Sequence, residues 1–246
     1  MISKESILQE INDLGVTSGD ILFISADLLN VRYFHKSREQ TYEDWVWILL
    51  KAVGSEGTIV LPSYTDSFIR FNKDPEINFK VNSKLSNSGA LTTAFLKYSE
   101  CKRSSHPTNS CIAIGKNAEY ILSGHDGNST SYLPYERVIQ LGGKNLMIGA
   151  FTEKKLGPMA LHAAQESLGL TRKHWMAGFY QTYQTSETGD VSLYTRIDPG
   201  GCTAGAYKLI GDHIIDRAIE FGRIGKSLSG LIDTKKSFDI FVNQLN

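Results

Sequence analysis

The sequence predicts an α/β fold, a three-layer α/β/α sandwich around a mixed central sheet, built as one domain over residues 1–246. Two observations carry this expectation. Four short runs, ILFIS (21–25), TIVL (58–61), CIAIG (111–115) and NLMIG (145–149), are nearly all apolar, and helical patterns alternate with them. Such runs suit strands covered on both faces. Two longer runs follow, GFYQTYQT (178–185) and VSLYTR (191–196), joined by SETGD; they read as a hairpin and make the sheet mixed.

Taken in order, Ser3 can cap a first helix whose Ile7, Leu8, Ile11 and Leu14 share one face, with Gly15 ending it. After the strand ILFIS an irregular stretch reaches Gln40, and a helix starts at Thr41 with Trp45, Ile48 and Leu49 inward. TIVL stops at Pro62, since proline has no N–H for a sheet ladder. A helix is expected near 89–98, then the strand CIAIG, a helix from Asn117, another from Pro134, and the strand NLMIG. A helix over 158–169 precedes the hairpin, and two more, near 204–220 and from Asp233 to the end, close the chain.

With 246 residues and 41% hydrophobic composition the core is ample, and no linker, repeat or low-complexity tract divides it. Lys+Arg and Asp+Glu balance at 26 each, so no long-range field gathers nucleic acid or an anionic membrane. The start, MISKESILQE, lacks the pattern of a signal peptide, and WVWILL (45–50) is too short to span a bilayer. Three cysteines without paired spacing fit a reducing cytoplasm, and Cys111 reads as a small buried hydrophobe.

Several familiar sites are excluded. GKS at 225–227 lacks the earlier glycine of a phosphate loop, because that position is Glu220. No dinucleotide fingerprint is present, and no histidine–cysteine spacing suggests zinc, so no metal is expected. What remains is PMALHAAQESLG (158–169), a helix with Pro158 at its start and Gly169 at its end. His162 and Glu166 stand at i and i+4 on one face, the arrangement of an imidazole oriented by a carboxylate for general-base work. Ala160, Ala163 and Ala164 would let that helix approach its neighbours closely. Polar residues also follow the strands: Ser25 and Asp27 after the first, Ser63, Tyr64, Thr65 and Asp66 after the second. The carboxyl edge of a sheet is where α/β folds place ligands.

Six segments, in order, resemble the aminoglycoside 3-N-acetyltransferase-like (antibiotic acetyltransferase) family. They are LGVTSGDILFISADL (14–28), GSEGTIVLPSYT (54–65), SGALT (88–92), SSHPTNSCIAIG (104–115), SGHDGNSTSYLPYERVIQLGGKNLMIG (123–149) and LHAAQE (161–166). The resemblance implies acyl transfer from an acyl-CoA cosubstrate to an amine on a sugar. It also implies contacts to coenzyme A from His106, Thr108 and Ser110, and from Ser25, Asp27, Leu28, Ser88 and Gly89. His162 matches the family's histidine beside the reacting amine, and a homodimer is a further implication of the resemblance. The chain departs from the family pattern: V-H-S-S-L reads I-S-A-D-L here, and N-T-S-x-H-L-A-E reads P-M-A-L-H-A-A-Q-E. Gln165 therefore takes the acid's position and Glu166 follows it; Glu166 is the expected orienter, since a carboxylate supports an imidazolium and an amide does not.

A ping-pong route through Cys111 is disfavoured by its apolar setting. For the acceptor, the residues from His125 to Glu166 carry as many bases as acids, which is no trap for a polycation. Lys154, Lys155, Arg172 and Lys173 flank the His162 helix, and Trp175 follows them. That set, with Tyr64, would suit phosphates and a stacked base; the resemblance, which takes in N-acyltransferases of nucleotide-linked amino deoxysugars, then implies such a dTDP-type sugar as acceptor, with an aminoglycoside as the alternative. A non-catalytic coenzyme A or nucleotide-binding protein is the alternative from another class, and a metal hydrolase using His106, His125 and Asp126 is a fourth reading.

Overall fold

The structure is a computed structural model and describes residues 2–64, 79–80, 86, 88–149, 159–169, 181–186, 188–197 and 210–245. Helix α1 (Lys4–Asp13) starts as expected: Ser3 and Ser6 exchange side-chain-to-backbone hydrogen bonds, and Ile7 and Ile11 are buried. Strand β1 (Ile21–Ala26) leads into the short helix α2 (Leu28–Val31). Helix α3 (Arg38–Val53) begins before Thr41 because Ser37 caps it, accepting from the Gln40 N–H. Strand β2 (Thr58–Pro62) then ends at its proline. The chain continues through β3 (Phe79–Lys80), α4 (Ala90–Phe95), β4 (Lys102–Arg103), β5 (Cys111–Gly115) and α5 (Ala118–Leu122). Next come α6 (Leu133–Gln140), β6 (Lys144–Ile148), α7 (Met159–Ser167), β7 (Gln181–Thr185) and β8 (Val191–Thr195). The last described elements are α8 (Ile210–Ile215), β9 (Ile219–Ile224), β10 (Ser227–Asp233) and α9 (Thr234–Leu245).

Seven strands form the central sheet in the order β4-β5-β2-β1-β6-β10-β9. Its middle is parallel, with β1 between β2 and β6, while β5 and β10 run antiparallel on either side. Alternation along each strand feeds two cores. Leu22, Ile24, Ile59, Leu61 and Ile112 face α1, α3 and α4, whose Ile11, Trp45, Leu49 and Phe95 are fully buried against them or nearly so. Phe23, Val60, Cys111 and Ala113 face the opposite layer of α5, α6, α7 and α9. The mixed three-layer sandwich is the fold expected from sequence.

Two expectations are corrected. The hairpin of β7 and β8 does not join the central sheet; it pairs with β3 in a separate three-stranded sheet. The helix expected near 204–220 is described only as α8, and the residues after it form the hairpin β9–β10 at the sheet edge. This hairpin is hard to read because only Ile219 and Ile224 of β9 are buried, whereas Glu220, Phe221 and Arg223 are exposed. Its turn needs Gly225: the residue has φ 59°, and a Cβ there would lie 2.4 Å from the Val31 carbonyl oxygen.

Candidate active site

The carboxyl ends of β2, β1 and β6 and the amino end of β5 meet at one edge of the sheet, since Pro62 pairs with Cys111 and Ala26 with Ile148. At the exit of β1, the Asp27 N–H donates to the Ile148 carbonyl (2.8 Å). The Asn30 amide bridges Asp27 Oδ2 and the Gly149 carbonyl, each at 3.0 Å. Gly149 has φ 63°, and a Cβ there would lie 2.4 Å from the Asp27 carbonyl oxygen, so only glycine lets the two strand exits close up. Leu28 lines a cavity of about 370 Å³ together with Tyr33, His35, Lys36 and Arg38. Arg38 and Tyr42 also line a groove of about 720 Å³ between α3 and α4.

At the exit of β2, the Tyr64 N–H donates to Ser88 Oγ (2.6 Å), and Thr92 Oγ1 donates to the Pro62 carbonyl (3.1 Å). These bonds hold the Ser88–Gly89 entry of α4 beside the strand. The Tyr64 and Tyr135 hydroxyls are hydrogen-bonded to each other, and burial raises the pKa of both well above the usual tyrosine value.

Helix α7 is fixed to the sheet by Asn145, a fully buried amide. Its Oδ1 accepts from the Met159 N–H (3.0 Å), while its Nδ2 donates to the Phe23 carbonyl (3.0 Å) and to Ser25 Oγ (3.3 Å). Ala160, Ala163 and Ala164 are fully buried, which is the close approach their small size allows. One turn along, His162 is half-buried as a residue, but its Nδ1 is sealed from solvent and has no hydrogen-bond partner among the described residues. Its ring stacks on Tyr132 (centroids 4.9 Å, 15°) and meets the edge of Tyr135 (6.2 Å, 69°). The Arg196 guanidinium, itself buried, lies 5.9 Å from the Tyr132 ring. Burial first, and the Arg196 charge second, lower the His162 imidazole to about 4. The ring is therefore neutral at pH 7, with one nitrogen lone pair free.

Glu166 does not play its expected part. Its carboxylate turns to the start of α6, where Oε1 accepts from the Ser131 N–H (3.0 Å) and Oε2 from the Tyr132 N–H (3.2 Å). The i,i+4 spacing puts His162 and Glu166 on one side of α7, but the free N–H groups opening another helix are the stronger attraction for a carboxylate. Gln165 is buried on the same helix.

The 104–110 loop was expected to face coenzyme A, yet the structure turns its polar side chains into the protein. His106, Thr108, Asn109 and Ser110 are each at most 6% exposed. His106 Nδ1 accepts from the Asn109 N–H (3.1 Å) and the Thr108 N–H (3.3 Å), which leaves Nε2 to carry the proton toward Tyr194 Oη (3.4 Å). Thr108 Oγ1 donates to Asn109 Oδ1 (2.7 Å). Ser110 Oγ donates to the Ser63 carbonyl (2.6 Å) and accepts from Arg103 Nε (3.1 Å) and Nη2 (3.0 Å). His106 and His125 stack at 4.8 Å rather than converging on a point, and His125 pairs with Ser104 Oγ (2.8 Å) and the Ser131 carbonyl (3.2 Å). That geometry does not suit the metal-hydrolase reading. Cys111 is fully buried and burial pushes its thiol up, which does not suit a thioester relay. We expect Ser110→Ala to cost about 1–3 kcal/mol of stability, because the half-buried Arg103 loses one of its acceptors and the Ser63 carbonyl one of its donors. Urea melts check this, and a Michaelis constant for acetyl-CoA that rises with unchanged stability would return Ser110 to the binding surface.

Lys154, Lys155, Arg172, Lys173 and Trp175 lie outside the described residues. Sequence reasoning missed Asn145, Tyr132, Tyr135 and Arg196. Tyr132 and Tyr135 have the i,i+3 spacing that would have placed them on one helical face; Arg196 carries no such signal.

A sequence profile of the aminoglycoside 3-N-acetyltransferase family matches residues 23–246. Aminoglycoside N(3)-acetyltransferase III of Salmonella sp is 25% identical over 219 residues, covering 80% of this chain and 71% of its own. Among solved structures, aminoglycoside acetyltransferase AAC(3)-IIb superposes with a TM-score of 0.78 at 22% identity, covering 100% of this chain and 97% of that one. The binary complex of AAC-IIIb with CoASH superposes with a TM-score of 0.75 at 19% identity, covering 99% and 96%. With the profile matched over nearly its whole length, this chain belongs to the aminoglycoside 3-N-acetyltransferase family.

Proposed function

We propose that the protein transfers an acetyl group from acetyl-CoA to an amine of an aminoglycoside, with His162 as general base. The observation that carries the chemistry is His162 itself: a neutral imidazole with an unpartnered, sealed Nδ1, at the end of the sheet where Tyr64, Tyr135 and Arg196 gather. The acceptor's ammonium gives one proton to this ring and the freed amine attacks the thioester carbonyl; as the adduct collapses, the nitrogen's surplus proton passes to the departing sulfur, so that the amide and the free coenzyme thiol form and the ring returns its proton to solvent. Leu28, the Ser88–Gly89 entry and the cavity reaching Lys36 and Arg38 are the surfaces proposed to hold the thioester and its anionic arm.

The aminoglycoside replaces the nucleotide-linked sugar as the preferred acceptor. The Salmonella relative and the AAC(3)-IIb structure are both named for aminoglycosides, and nothing in the comparisons supports a nucleotide-linked sugar. Specificity constants from coenzyme release decide between them, measured with sisomicin, a free amino sugar and its nucleoside-diphosphate form. Sisomicin is expected to exceed both sugars by at least tenfold, or about 1.4 kcal/mol. A nucleoside-diphosphate sugar that wins by that margin restores the other acceptor.

A further inference from the structure

The residue that should orient His162 by hydrogen bonding is engaged elsewhere, and where it is engaged suggests another route to the same end. Glu166 holds the backbone N–H groups of Ser131 and Tyr132 at 3.0–3.3 Å. The Tyr132 ring is the surface on which His162 lies, nearly parallel at 15° and 4.9 Å between centroids. A carboxylate on two backbone N–H groups at the start of α6 is a charge-assisted clamp, so it fixes the residue from which the ring projects. Among the described residues His162 Nδ1 has no hydrogen-bond partner, and what touches the ring is the packing of Tyr132 and Tyr135 rather than an acid.

We infer that Glu166 and Tyr132 are positioning residues for the transfer reaction: Glu166 clamps the backbone of Tyr132, and the Tyr132 ring sets the plane of His162. The inference deepens the proposed function and rests on His162 being its base. Misplacing a reacting group by an ångström is enough to cost up to about 100-fold in rate, so a positioning effect should be visible without any change in substrate contacts.

The test uses the full chain with Glu166→Ala, Tyr132→Leu and Tyr132→Phe, and reads two quantities. One is kcat with sisomicin beside the Michaelis constant for acetyl-CoA; the other is the titration of the His162 ring followed by NMR, which requires no activity. Glu166→Ala and Tyr132→Leu are expected to lower kcat by roughly tenfold or more while the acetyl-CoA constant stays within about twofold. Both should move the ring's titration up from about 4 toward the ordinary value, as its cover is lost. Tyr132→Phe keeps the ring face and should behave as wild type in both. If Glu166→Ala does not fold, Glu166→Gln, which keeps an acceptor oxygen but no charge, is read in its place. Unchanged titration and unchanged kcat in the folded variants overturn the inference. A shifted titration with undiminished turnover also overturns it, since the ring has then lost its cover without cost to the reaction; the base itself is read separately from the turnover of His162→Gln, so the two failures are distinguishable.

Discussion

Replacing His162 with glutamine lowers kcat by roughly 100- to 10,000-fold, the range for losing a general base, while the Michaelis constant for acetyl-CoA changes little. Glutamine fills most of the space between Tyr132 and Tyr135, so the loss reports chemistry rather than collapse of the packing. Steady-state turnover by coenzyme release measures it, and near-full turnover in a folded variant removes His162 from the mechanism. The pH profile carries a second mark. Because the imidazole is held at about 4, it is already neutral throughout the range from 6 to 8. The usual histidine limb near ~6.5 should be missing, leaving the acceptor's own amine to shape the rise with pH. Stability is linked in the same sense. The unfolded chain binds this proton below ~6.5 and the folded chain only below about 4, so stability falls as pH drops through that window. His162→Gln should flatten that part of a plot of urea midpoint against pH.

Asn145→Ala removes about 2–4 kcal/mol of stability and, in the fraction that remains folded, at least about tenfold of kcat. The reason is local. One buried amide joins β6 to β1 and receives the first described N–H of α7, so its loss leaves the Phe23 carbonyl and the Met159 N–H without these partners. The second effect follows from the first, because α7 carries His162. Ser25→Ala serves as the control, since it deletes only the weakest contact, at 3.3 Å on a half-buried residue. Urea denaturation with turnover on both variants checks the pair; equal effects would mean that Asn145 matters only through Ser25.

The legible parts of this chain were those whose physics is local. ILFIS, TIVL, CIAIG and NLMIG are strands because a run of apolar residues flanked by breakers leaves a fully buried strand as its natural form. The hairpin of β9 and β10 was not legible, because an edge strand needs only a few buried residues and here shows Glu220, Phe221 and Arg223 to solvent. In the site, His162 could be found from its helix and its spacing. Its surroundings could not, since Tyr132 comes from α6 and Arg196 from the end of β8, and no period along the chain records such a meeting. The 104–110 loop reads two ways for a different reason. A loop that is buried must hydrogen-bond its own backbone internally, and the residue types that do so are the same ones that would line a ligand pocket.

The place of Cys111 has a use beyond ruling out a relay. It begins β5 opposite Pro62, a residue with no N–H to give, and Ser104 Oγ accepts its backbone N–H at 2.9 Å. A thiol reagent in solution cannot reach this sulfur until β5 parts from its neighbours. Reagents that detect released coenzyme therefore count product, not Cys111, on the time scale of turnover. Left for longer, and with Cys101 and Cys202 replaced by serine, the same reagents read how often this end of the sheet breathes, which makes the sulfur a built-in gauge of local opening.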